Sequence, residues 1–530
     1  MKKSIRTSAA RGHGNRVFWI EGEGFVGASL LGEPEPPKLE LVMAATVGSE
    51  EKPFRFCRMI GGLQPFRPEA AGLIQLGQAM SETQPDPALD SNIPAGFTYL
   101  GQFVDHDITS DPSILDETGE MDPAQIDSLR PPSVDLDSVY GLGPGLSPEL
   151  FDGPRLKLGA TTPTPFGGGN TNTVFPNDLP RMPPDPNPEN DKRAIIGDRR
   201  NDENLAVAQT HLAFLKFHNK VVDRLSAAGT PAASLFDEAR KVVTQHYQSI
   251  VLDDLVRRLV SGDVLNDVLV NGRKFFMPGG IPAGAHLCMP VEFSVAAYRL
   301  GHSMIRHSYE WNRVFRTGRS GGAASLALVF EFSALSGDLG GMDTLPSNWI
   351  VDWLLFYDFA GVPGTSSDPS MNRARQLDTR LASALDSLPE FATAPEPHLR
   401  SLAVRNLLRG RLIGLPTAQT LAGAMAIAPL APAEIRQGPH EAVLSAHDFD
   451  ERTPLWYYIL KEAEVQAGGQ RLGELGSRLL AETFHGLIEG SRFSILKEAG
   501  WKPSLPSSNP ERFTMADLLA FVQDLNPLGN

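Results

Sequence analysis

Cysteine is nearly absent from this sequence, since Cys57 and Cys288 are the only two among 530 residues. Two cysteines cannot supply the thiolate sets that hold structural zinc or iron–sulfur clusters. A bound metal must therefore use histidine, carboxylate or carbonyl ligands, or belong to a cofactor. We also expect the chain to contain no disulfides, because disulfide frameworks use several cysteine pairs.

Long apolar runs are missing as well. No run of about 18 or more apolar residues occurs, so we expect no membrane-spanning helix. The start Met1-Lys2-Lys3 is basic, but no apolar stretch of signal-peptide length follows before Arg16. We therefore expect a soluble protein without a standard signal peptide, either cytoplasmic or exported by a non-classical route.

Positive charge is in deficit, because 48 Lys and Arg stand against 63 Asp and Glu. The resulting net charge of −15 argues against nucleic acid or an anionic membrane surface as the main partner. Hydrophobic residues make up 41% of the chain, which is enough for a large core. The composition thus favours a globular body of enzyme size and leaves the oligomeric state open.

Glycine and proline divide the chain into helical blocks. We predict an irregular leader over residues 1–48 and one domain over 49–530, with a long loop from Gly153 to Asp191 that is dense in proline, glycine and asparagine. We predict a mainly α-helical domain with long loops and few, short strands. Apolar residues recur at helical spacing in the windows 203–227, 234–261, 291–306, 397–411, 454–467 and 472–490.

The segment from Leu100 to Asp107 places a histidine, two carboxylates and an amide within about two helical turns. At 100° per residue, Gln102, Asp105 and His106 share about one third of the helix circumference. Asp107 points about 200° away from Asp105. This pattern predicts two ligands, one in a pocket and one behind the helix.

The segment 197–204 opens a long amphipathic helix. Asn201 or Asp202 is placed to cap that helix, and early acidic residues suit its positive end. Arg200 and Glu203 are three residues apart and can face one pocket near the helix start. Taken alone, the pattern is more typical of a capped helix with a surface ion pair.

Two later segments carry further candidates. The segment 297–304 places His302 directly after a glycine, which lets a bulky group approach the backbone. Taken alone, such a histidine is more often a hydrogen-bonded core residue than a ligand. In the segment 404–416, Asn406 and Arg409 share one face of a basic helix that ends at glycine and proline.

In order and spacing, these four segments together resemble the animal-type haem peroxidases of the peroxidase-cyclooxygenase superfamily, which includes myeloperoxidase and the peroxinectins. The resemblance covers about residues 50 to 500 and is to a cysteine-poor, bacterial form. Residues 101–107 match the family motif Gly-Gln-x-x-Asp-His-Asp, which implies that His106 is the distal histidine. Residues 197–203 match Gly-Asp-x-Arg-x-x-Glu, which implies that Arg200 is the distal arginine.

The resemblance implies a haem b cofactor with the proximal ligand in the third segment. His302 matches the histidine of the family pattern Arg-x-Gly-His and would ligate the iron, with Arg299 near a haem propionate. Asn406 matches the amide partner of that histidine. We expect it to accept a hydrogen bond from the second ring nitrogen and so to tune the iron. Arg409 would supply another propionate contact.

On the distal side the resemblance implies peroxide chemistry. His106 would take a proton from hydrogen peroxide and return it to the departing oxygen, while Arg200 stabilises the developing charge and a ferryl haem remains. Gln102 is expected beside water or halide, and Asp105 and Glu203 match carboxylates that form esters with haem methyl groups. The implied activity is oxidation of halides, thiocyanate or phenols by hydrogen peroxide, in a response to oxidative stress.

The loop 134–141 resembles the family's calcium loop. Its carboxylates are hard oxygen ligands of the kind that Ca²⁺ prefers. The implied ligands are the side chains or carbonyls of Asp107, Pro131, Ser133, Asp135 and Asp137. The family usually has threonine at the position of Pro131, which can offer only its carbonyl, and the alternative is an acidic turn without a metal. A calcium ion here would also hold the adjacent distal histidine in register.

One departure from the family bears on oxidising power. Asn204 stands where myeloperoxidase has the methionine of a third haem bond, so that sulfonium link cannot form. Because the link withdraws electrons, we expect a less oxidising haem. The expected donors are iodide, thiocyanate, phenols and bromide, with only weak chloride oxidation.

Three alternatives stay open. A fatty-acid dioxygenase or cyclooxygenase of the same superfamily uses a tyrosyl radical, but such relatives generally lack the paired Asp105 and Glu203, and Tyr357 is better explained as a core residue. A peroxinectin-like adhesive protein would keep the fold for binding. A non-haem iron or hydrolase site at the Asp-His-Asp cluster would leave the other motifs unexplained.

Overall fold

Helices make up 45% of the structure and strands are few and short, which confirms the mainly α-helical class. The computed structural model describes residues 54–529 without 83, 85, 112, 114, 116–118 and 282–286, together with strands at 7–8, 15–20 and 24–29. The α-helices are α1 (Ala70–Ala79), α2 (Gly96–Ile108), α3 (Asp137–Tyr140), α4 (Leu205–Ala227), α5 (Leu235–Ser249), α6 (Arg257–Leu259), α7 (Gly262–Asn271), α8 (Leu326–Glu331), α9 (Leu402–Ile413), α10 (Ala418–Ala424), α11 (Pro432–Arg436), α12 (Glu441–Ala446), α13 (Leu455–Ala467), α14 (Glu474–Gly490) and α15 (Met515–Val522).

Five of the six predicted helical windows contain an α-helix, and two of the six depart from regular α-helix. The window 234–261 is α5 continued through a π-helical segment, Ile250–Val256, into α6. The window 291–306 contains no α-helix, because a π-helical turn (Glu292–Ala296) passes directly into a 3₁₀ helix (Ala297–His302). Departures of this kind from regular α-helix are common at functional sites.

The cap of α4 differs from the prediction. Asn204 caps the helix, since its side-chain oxygen accepts from the backbone N–H of Val207 at 3.0 Å. Asn201 and Asp202 do not cap α4, because they belong to a separate 3₁₀ turn, Arg199–Asp202, that precedes it. The side chain of Asn201 is thereby free for another partner.

Strands in the described residues are short, as predicted. In chain order they are β1 (Thr7–Ser8), β2 (Asn15–Ile20), β3 (Gly24–Ser29), β4 (Phe56–Cys57), β5 (Ser81–Glu82), β6 (Asp90–Pro94), β7 (Phe151–Asp152), β8 (Arg155–Leu156), β9 (Met289–Pro290), β10 (Ser308–Tyr309), β11 (Ala324–Ser325), β12 (Arg373–Arg375) and β13 (Leu381–Ala382). The pairs β4·β9 and β5·β13 are parallel, while β6·β12, β7·β8 and β10·β11 are antiparallel.

The leader predicted as irregular contains a small sheet. Strands β1, β2 and β3 pair in that order, with β2 antiparallel to both neighbours. The β2 sequence Asn-Arg-Val-Phe-Trp-Ile is rich in β-branched and aromatic residues, which favour strands. The other residues of the leader lie outside the described part, so the boundary at residue 48 stays a prediction.

The expectation that the chain has no disulfides is wrong. Cys57 and Cys288 form a disulfide although they are 231 residues apart in sequence. The two cysteines meet because β4 and β9 pair in parallel, with Phe56 opposite Met289. A single bridge needs only one pair, and sequence spacing alone gave no sign that these two segments are neighbours.

The core is organised around α4, which is buried from Leu205 to Asn219. Helix α2 packs against it through Phe103, whose ring stacks on Phe214 at a centroid distance of 4.7 Å. Tyr247 of α5 contacts both rings edge-on. No helix in the described part of the chain has the length and apolar character needed to cross a membrane.

Candidate functional site

A cavity of about 340 Å³ lies between α2, the turn before α4 and the 3₁₀ helix Ala297–His302. The walls bring together residues from three of the four motif segments. The predicted site residues that line this central cavity are Gln102, Asp105, His106, Arg200, Glu203, Arg299 and His302. Asn406 and Arg409 stand behind this wall and contact residues that belong to it.

His106 is the histidine on the α2 side of the cavity, and its ring is almost fully buried. Its Nδ1 lies 2.9 Å from Oδ1 of Asn201, and its Nε2 lies 3.5 Å from Oε1 of Glu203. Burial lowers the pKa of His106 and Arg200 lowers it further, but the Glu203 and Asp198 carboxylates together outweigh both and the pKa is raised. Nδ1 of His106 is therefore hydrogen-bonded to Asn201, and Nε2 lies beside the Glu203 carboxylate.

Arg200 is anchored from behind. Its Nη2 donates to Oδ2 of Asp198 at 2.7 Å and to the carbonyl oxygens of His106 and Thr109 at 2.8 and 3.0 Å. Asp198 also pairs with buried Arg130 at 2.6 Å. Burial raises the pKa of Asp198, but the two guanidinium groups outweigh it and hold that pKa well below its usual range. The guanidinium of Arg200 is thus charged and fixed at the cavity wall.

Gln102 and Asn204 hold Glu203 in place. The Gln102 amide nitrogen donates to Oε1 of Glu203, and its oxygen accepts from Nδ2 of Asn204 at 3.0 Å. Asn204, which caps α4, thereby links the helix start to α2. Asn204, which stands at the position of the myeloperoxidase methionine, therefore has a structural role here.

The carboxylate of Asp105 makes no hydrogen bond or ion pair among the described residues, although its backbone carbonyl accepts from Thr109 at 3.0 Å. It lines the cavity, and burial raises its pKa even though His106 and Arg200 act against burial. Asp105 is half-buried, and a carboxylate withdrawn from water without a partner is costly unless a ligand offsets the cost. Asp105 is therefore the wall residue with the clearest need for a bound group.

On the opposite side, His302 ends the 3₁₀ helix Ala297–His302. Its Nδ1 lies 2.7 Å from Nδ2 of Asn406, whose Oδ1 accepts from Nη1 of Arg299 at 2.6 Å. We expected Asn406 to accept a hydrogen bond from His302. The structure differs, because Arg299 can only donate and so takes the amide oxygen. Burial, together with Arg299, lowers the pKa of His302 to about 3, which keeps the ring neutral.

Two half-buried arginines, Arg299 and Arg409, give this side a positive charge. Arg299 forms no ion pair with a carboxylate in the described part of the chain, while Arg409 lies 3.5 Å from Asp111 and donates to Oγ of Ser113 at 2.6 Å. Burial lowers the pKa of Arg299, and the charge of Arg409 lowers it further. Such a pair is suited to an anionic ligand.

The donor set fits a haem. A haem that activates peroxide needs one axial imidazole, cations for its propionates and an open opposite face with a base. The structure supplies a neutral His302, the cations Arg299 and Arg409, and His106 with Arg200 across the same cavity. The unpartnered Asp105 carboxylate faces the same space.

The predicted calcium ligands are engaged with protein groups. Both oxygens of Asp107 accept backbone N–H bonds, from Leu136 at 3.0 Å and Ser138 at 2.9 Å. The predicted ligands next along the chain are also engaged: Asp137 pairs with Arg240 at 3.2 Å, Asp135 accepts from the backbone N–H of Arg492 at 3.1 Å, and the Pro131 carbonyl accepts from the N–H of Ser133 at 2.8 Å. Within the described ranges, no three carboxylate, histidine or cysteine side chains form a metal-binding group.

Of the buried tyrosines Tyr298 and Tyr357, only Tyr298 lines the cavity. Tyr357 is 1% exposed, donates to the Gly96 carbonyl at 2.9 Å and does not line the cavity. Tyr298 does line it and donates to the Gly101 carbonyl at 3.1 Å. The core interpretation of Tyr357 therefore agrees with its position.

Sequence reasoning missed several residues at this site. Asn201 was assigned only to a helix cap, and Asp198 was a motif member without a role. Arg130 and Glu390 were not considered, although Glu390 lines the cavity. Asp198 could have been found from its place in the Gly-Asp-x-Arg-x-x-Glu motif. No sequence signal identifies its partner Arg130, which lies 68 residues away in the chain.

The chain matches a family model described as animal haem peroxidase over residues 130–500. It is 26% identical over 226 residues to the peroxidasin homologue pxn-2 of Caenorhabditis elegans, covering 42% of this chain and 15% of that protein. It is 25% identical over 177 residues to thyroid peroxidase of Rattus norvegicus, covering 32% and 19%. The chain thus spans less than a fifth of these relatives.

Two solved structures share the fold. Peroxidase A from Dictyostelium discoideum aligns with a TM-score of 0.58 and 17% identity, over 90% of this chain and 94% of that chain. A fatty acid alpha-dioxygenase from Arabidopsis thaliana aligns with a TM-score of 0.53 and 15% identity, over 87% and 75%. Both a peroxidase and a dioxygenase therefore have this architecture.

Proposed function

Because the chain belongs to the animal haem peroxidase family, we propose that it is a haem peroxidase that reduces hydrogen peroxide and oxidises halides, thiocyanate or phenolic donors. The observation that carries this proposal is the placement of His106 and His302 in the walls of one cavity. His302 is the proposed iron ligand, and Arg299 and Arg409 are the proposed propionate contacts.

The proposed roles on the distal side follow from the contacts there. When bound, haem supplies the redox chemistry of O–O cleavage. His106 accepts a proton from hydrogen peroxide at Nε2 and returns it to the leaving oxygen. Arg200, fixed by Asp198 and two carbonyl groups, stabilises negative charge on that oxygen. Gln102 stands beside the bound water or halide.

Steady-state kinetics test this function directly. The haem-loaded protein is expected to oxidise iodide, thiocyanate, bromide and a guaiacol-type phenol with hydrogen peroxide. Chloride oxidation is expected to be weak, because Asn204 cannot form a sulfonium link and instead holds Gln102. Strong formation of hypochlorous acid at neutral pH would contradict this donor order.

Covalent haem attachment is a separate proposal. Asp105 and Glu203 both line the cavity, and the Asp105 carboxylate makes no hydrogen bond or ion pair in the described residues. We propose that these carboxylates form the ester links after reaction with peroxide. If acidified solvent still extracts all haem from peroxide-treated protein, the ester proposal is wrong, and Asp105→Ala and Glu203→Ala provide the non-covalent reference.

A dioxygenase is the alternative that an observation favours, since a fatty acid alpha-dioxygenase shares the fold. Against it, Tyr357 lies outside the cavity wall, and Asp105 and Glu203 are both present. Oxygen uptake with linoleate, compared with guaiacol turnover on peroxide, separates the two activities. We expect guaiacol turnover without oxygen uptake.

Calcium and location stay secondary proposals. Calcium at Asp107, Asp135 and Asp137 requires these carboxylates to exchange protein partners for the ion, and a fall in Tm on chelation, restored by Ca²⁺, would support it. The disulfide between Cys57 and Cys288 is typical of an oxidising compartment and favours export over a cytoplasmic location. Alkylation of the denatured, unreduced protein should find no free thiol.

A further inference from the structure

A chain of three buried side chains runs from His106 into the core. Nδ1 of His106 lies 2.9 Å from Oδ1 of Asn201, and Nδ2 of Asn201 lies 2.9 Å from Nδ1 of His211. Asn201 and His211 are both 0% exposed, and His106 is 5% exposed. Solvent water therefore does not compete for the amide, and hydrogen bonds in such surroundings are strong.

The orientation of the Asn201 amide decides which nitrogen of His106 carries the proton. A carboxamide oxygen only accepts, and its NH₂ group only donates. Since Oδ1 faces His106, the amide favours the hydrogen of the neutral ring on Nδ1, against the Glu203 carboxylate, which lies 3.5 Å from Nε2 and favours a hydrogen there. The lone pair is then on Nε2, the nitrogen beside Glu203 in the cavity wall. The opposite orientation would put the hydrogen on Nε2 and remove the base from the cavity.

One short turn holds His106 at two points. Arg200 and Asn201 are neighbours in the 3₁₀ turn Arg199–Asp202, and the backbone N–H of Asn201 bonds to the Asp198 carbonyl at 3.1 Å. Arg200 donates to the backbone carbonyl of His106, while Asn201 accepts from its ring. The turn thus fixes both the position and the rotation of the histidine.

His211 accounts for an amide at position 201. Its Nδ1 accepts from Nδ2 of Asn201, a bond that a carboxylate at 201 could not donate. Burial lowers the pKa of His211 to about 3, so the ring is neutral. Its Nε2 has no hydrogen-bond partner among the described residues. The chain therefore ends at His211 and serves to hold the amide.

We propose that Asn201 is a positioning residue of the peroxide reaction, which locks His106 with its hydrogen on Nδ1, and that His211 locks the amide of Asn201. The inference rests on the proposed function, because it assigns a task to the lone pair on Nε2 of His106. It extends the site to two residues beyond the motif positions.

The first test needs no haem. Spectra of ¹⁵N-histidine-labelled protein at about pH 9, where imidazole is neutral, report which ring nitrogen carries hydrogen. The wild type is expected to show the Nδ1–H form at His106, with the signal assigned by its loss in His106→Ala. Asn201→Leu, similar in volume, is expected to abolish that preference. An Nε2–H form in the wild type, or an unchanged tautomer in Asn201→Leu, would overturn the proposal.

The second test uses the haem-loaded protein. Hydrogen cyanide must give its proton to a base as it binds ferric haem, whereas carbon monoxide binding to ferrous haem transfers no proton. Asn201→Leu is expected to slow cyanide association by about tenfold or more and to leave carbon monoxide association within about twofold. His211→Phe is expected to slow cyanide association by a smaller factor, about threefold.

A control variant distinguishes loss of the positioning role from a general loss of structure. Asn348 is also buried, does not line the cavity, and its side-chain oxygen has no hydrogen-bond partner in the described part of the chain, so Asn348→Leu should change neither rate. Equal slowing of cyanide and carbon monoxide in Asn201→Leu, or no slowing of cyanide, would refute the positioning role. A wild type that binds no haem would refute the proposed function and leave the tautomer test intact.

Discussion

His106 and His302 line the same cavity, and each has an asparagine amide at Nδ1, but the two amides face the rings with different atoms. Asn201 presents its oxygen to His106 and its nitrogen to a neutral, buried histidine. Asn406 presents its nitrogen to His302 and its oxygen to Arg299, a cation of the cavity wall.

This difference distinguishes a ring whose amide accepts a hydrogen bond from one whose amide donates it. The distal ring has its hydrogen on Nδ1, as a base requires. On the proximal side Asn406 donates to Nδ1, which leaves the hydrogen on Nε2, the nitrogen that iron would need. A propionate that draws Arg299 away would free the Asn406 oxygen to accept from Nδ1 of His302.

The largest effect is expected from His302→Ala. The variant should lose its Soret band and all peroxide-dependent turnover, because no other histidine reaches the proximal wall of the cavity in the described residues. His440, buried outside the cavity and bonded to Tyr457, offers a matched control. Full haem retention in His302→Ala, measured by absorption titration, would show that the proximal assignment is wrong.

His106→Ala should keep haem but lose reactivity. Removal of the distal base is expected to slow the reaction with hydrogen peroxide by about 10²–10⁴-fold, since a positioned general base contributes that much. Stopped-flow mixing with peroxide measures the rate, and the Soret band confirms haem content. If His106→Ala loses haem as well as reactivity, the proposed division between a proximal haem ligand and a distal base is contradicted.

Asp107, on the side of α2 away from the cavity, contributes to the stability of the fold. Asp107→Ala leaves two buried N–H groups, those of Leu136 and Ser138, without acceptors, and should lower the free energy of unfolding by about 2–4 kcal/mol. Denaturant unfolding measures this change. Asp122→Ala removes a comparable acceptor from the exposed N–H of Ala124 and should cost under about 1 kcal/mol.

Asn406 variants sharpen the proximal side of the comparison. Asn406→Asp should make His302 a stronger donor to iron and lower the reduction potential, whereas Asn406→Leu should raise it. Both shifts should be a small part of the range of about 0.8 V that axial ligation spans. Spectroelectrochemistry measures the potential and haem titration the affinity. A larger change in affinity than in potential would argue for a purely structural role.

The smallest effect concerns donor charge. Glu390 lines the cavity but is exposed, and desolvation raises its pKa to about 7, with the Glu203 carboxylate adding to the rise and Arg405, His106 and Arg200 acting against it. Above this pH the ionised group repels anions, so thiocyanate oxidation should increase by about threefold as pH falls through 7. Glu390→Gln should reduce this dependence, while guaiacol oxidation should respond less. An unchanged profile in Glu390→Gln would remove Glu390 from this role.

The sequence predicts the local features of this molecule better than its long-range contacts. Helical spacing gave α4 and α14 nearly complete, and the rotation of 100° per residue placed Asp107 behind α2, away from Asp105. These predictions depend on residues within a few turns of each other.

The missed features depend on distant segments. The disulfide joins cysteines 231 residues apart, and Asn201 reaches His106 across 95 residues. The Asn406 amide faces as it does because Arg299 competes for its oxygen, a competition that no motif records. Hydrophobic periodicity does not indicate which distant group will form a hydrogen bond with a given side chain.

The most direct test of the account is a titration of the purified protein with haem, followed by mixing with hydrogen peroxide and guaiacol. We predict one haem per chain with a Soret band, rapid guaiacol oxidation in the wild type, and a Soret band without rapid oxidation in His106→Ala. A wild type that binds no haem, or equal guaiacol turnover in the wild type and His106→Ala, would contradict the assignment of the cavity to peroxide chemistry.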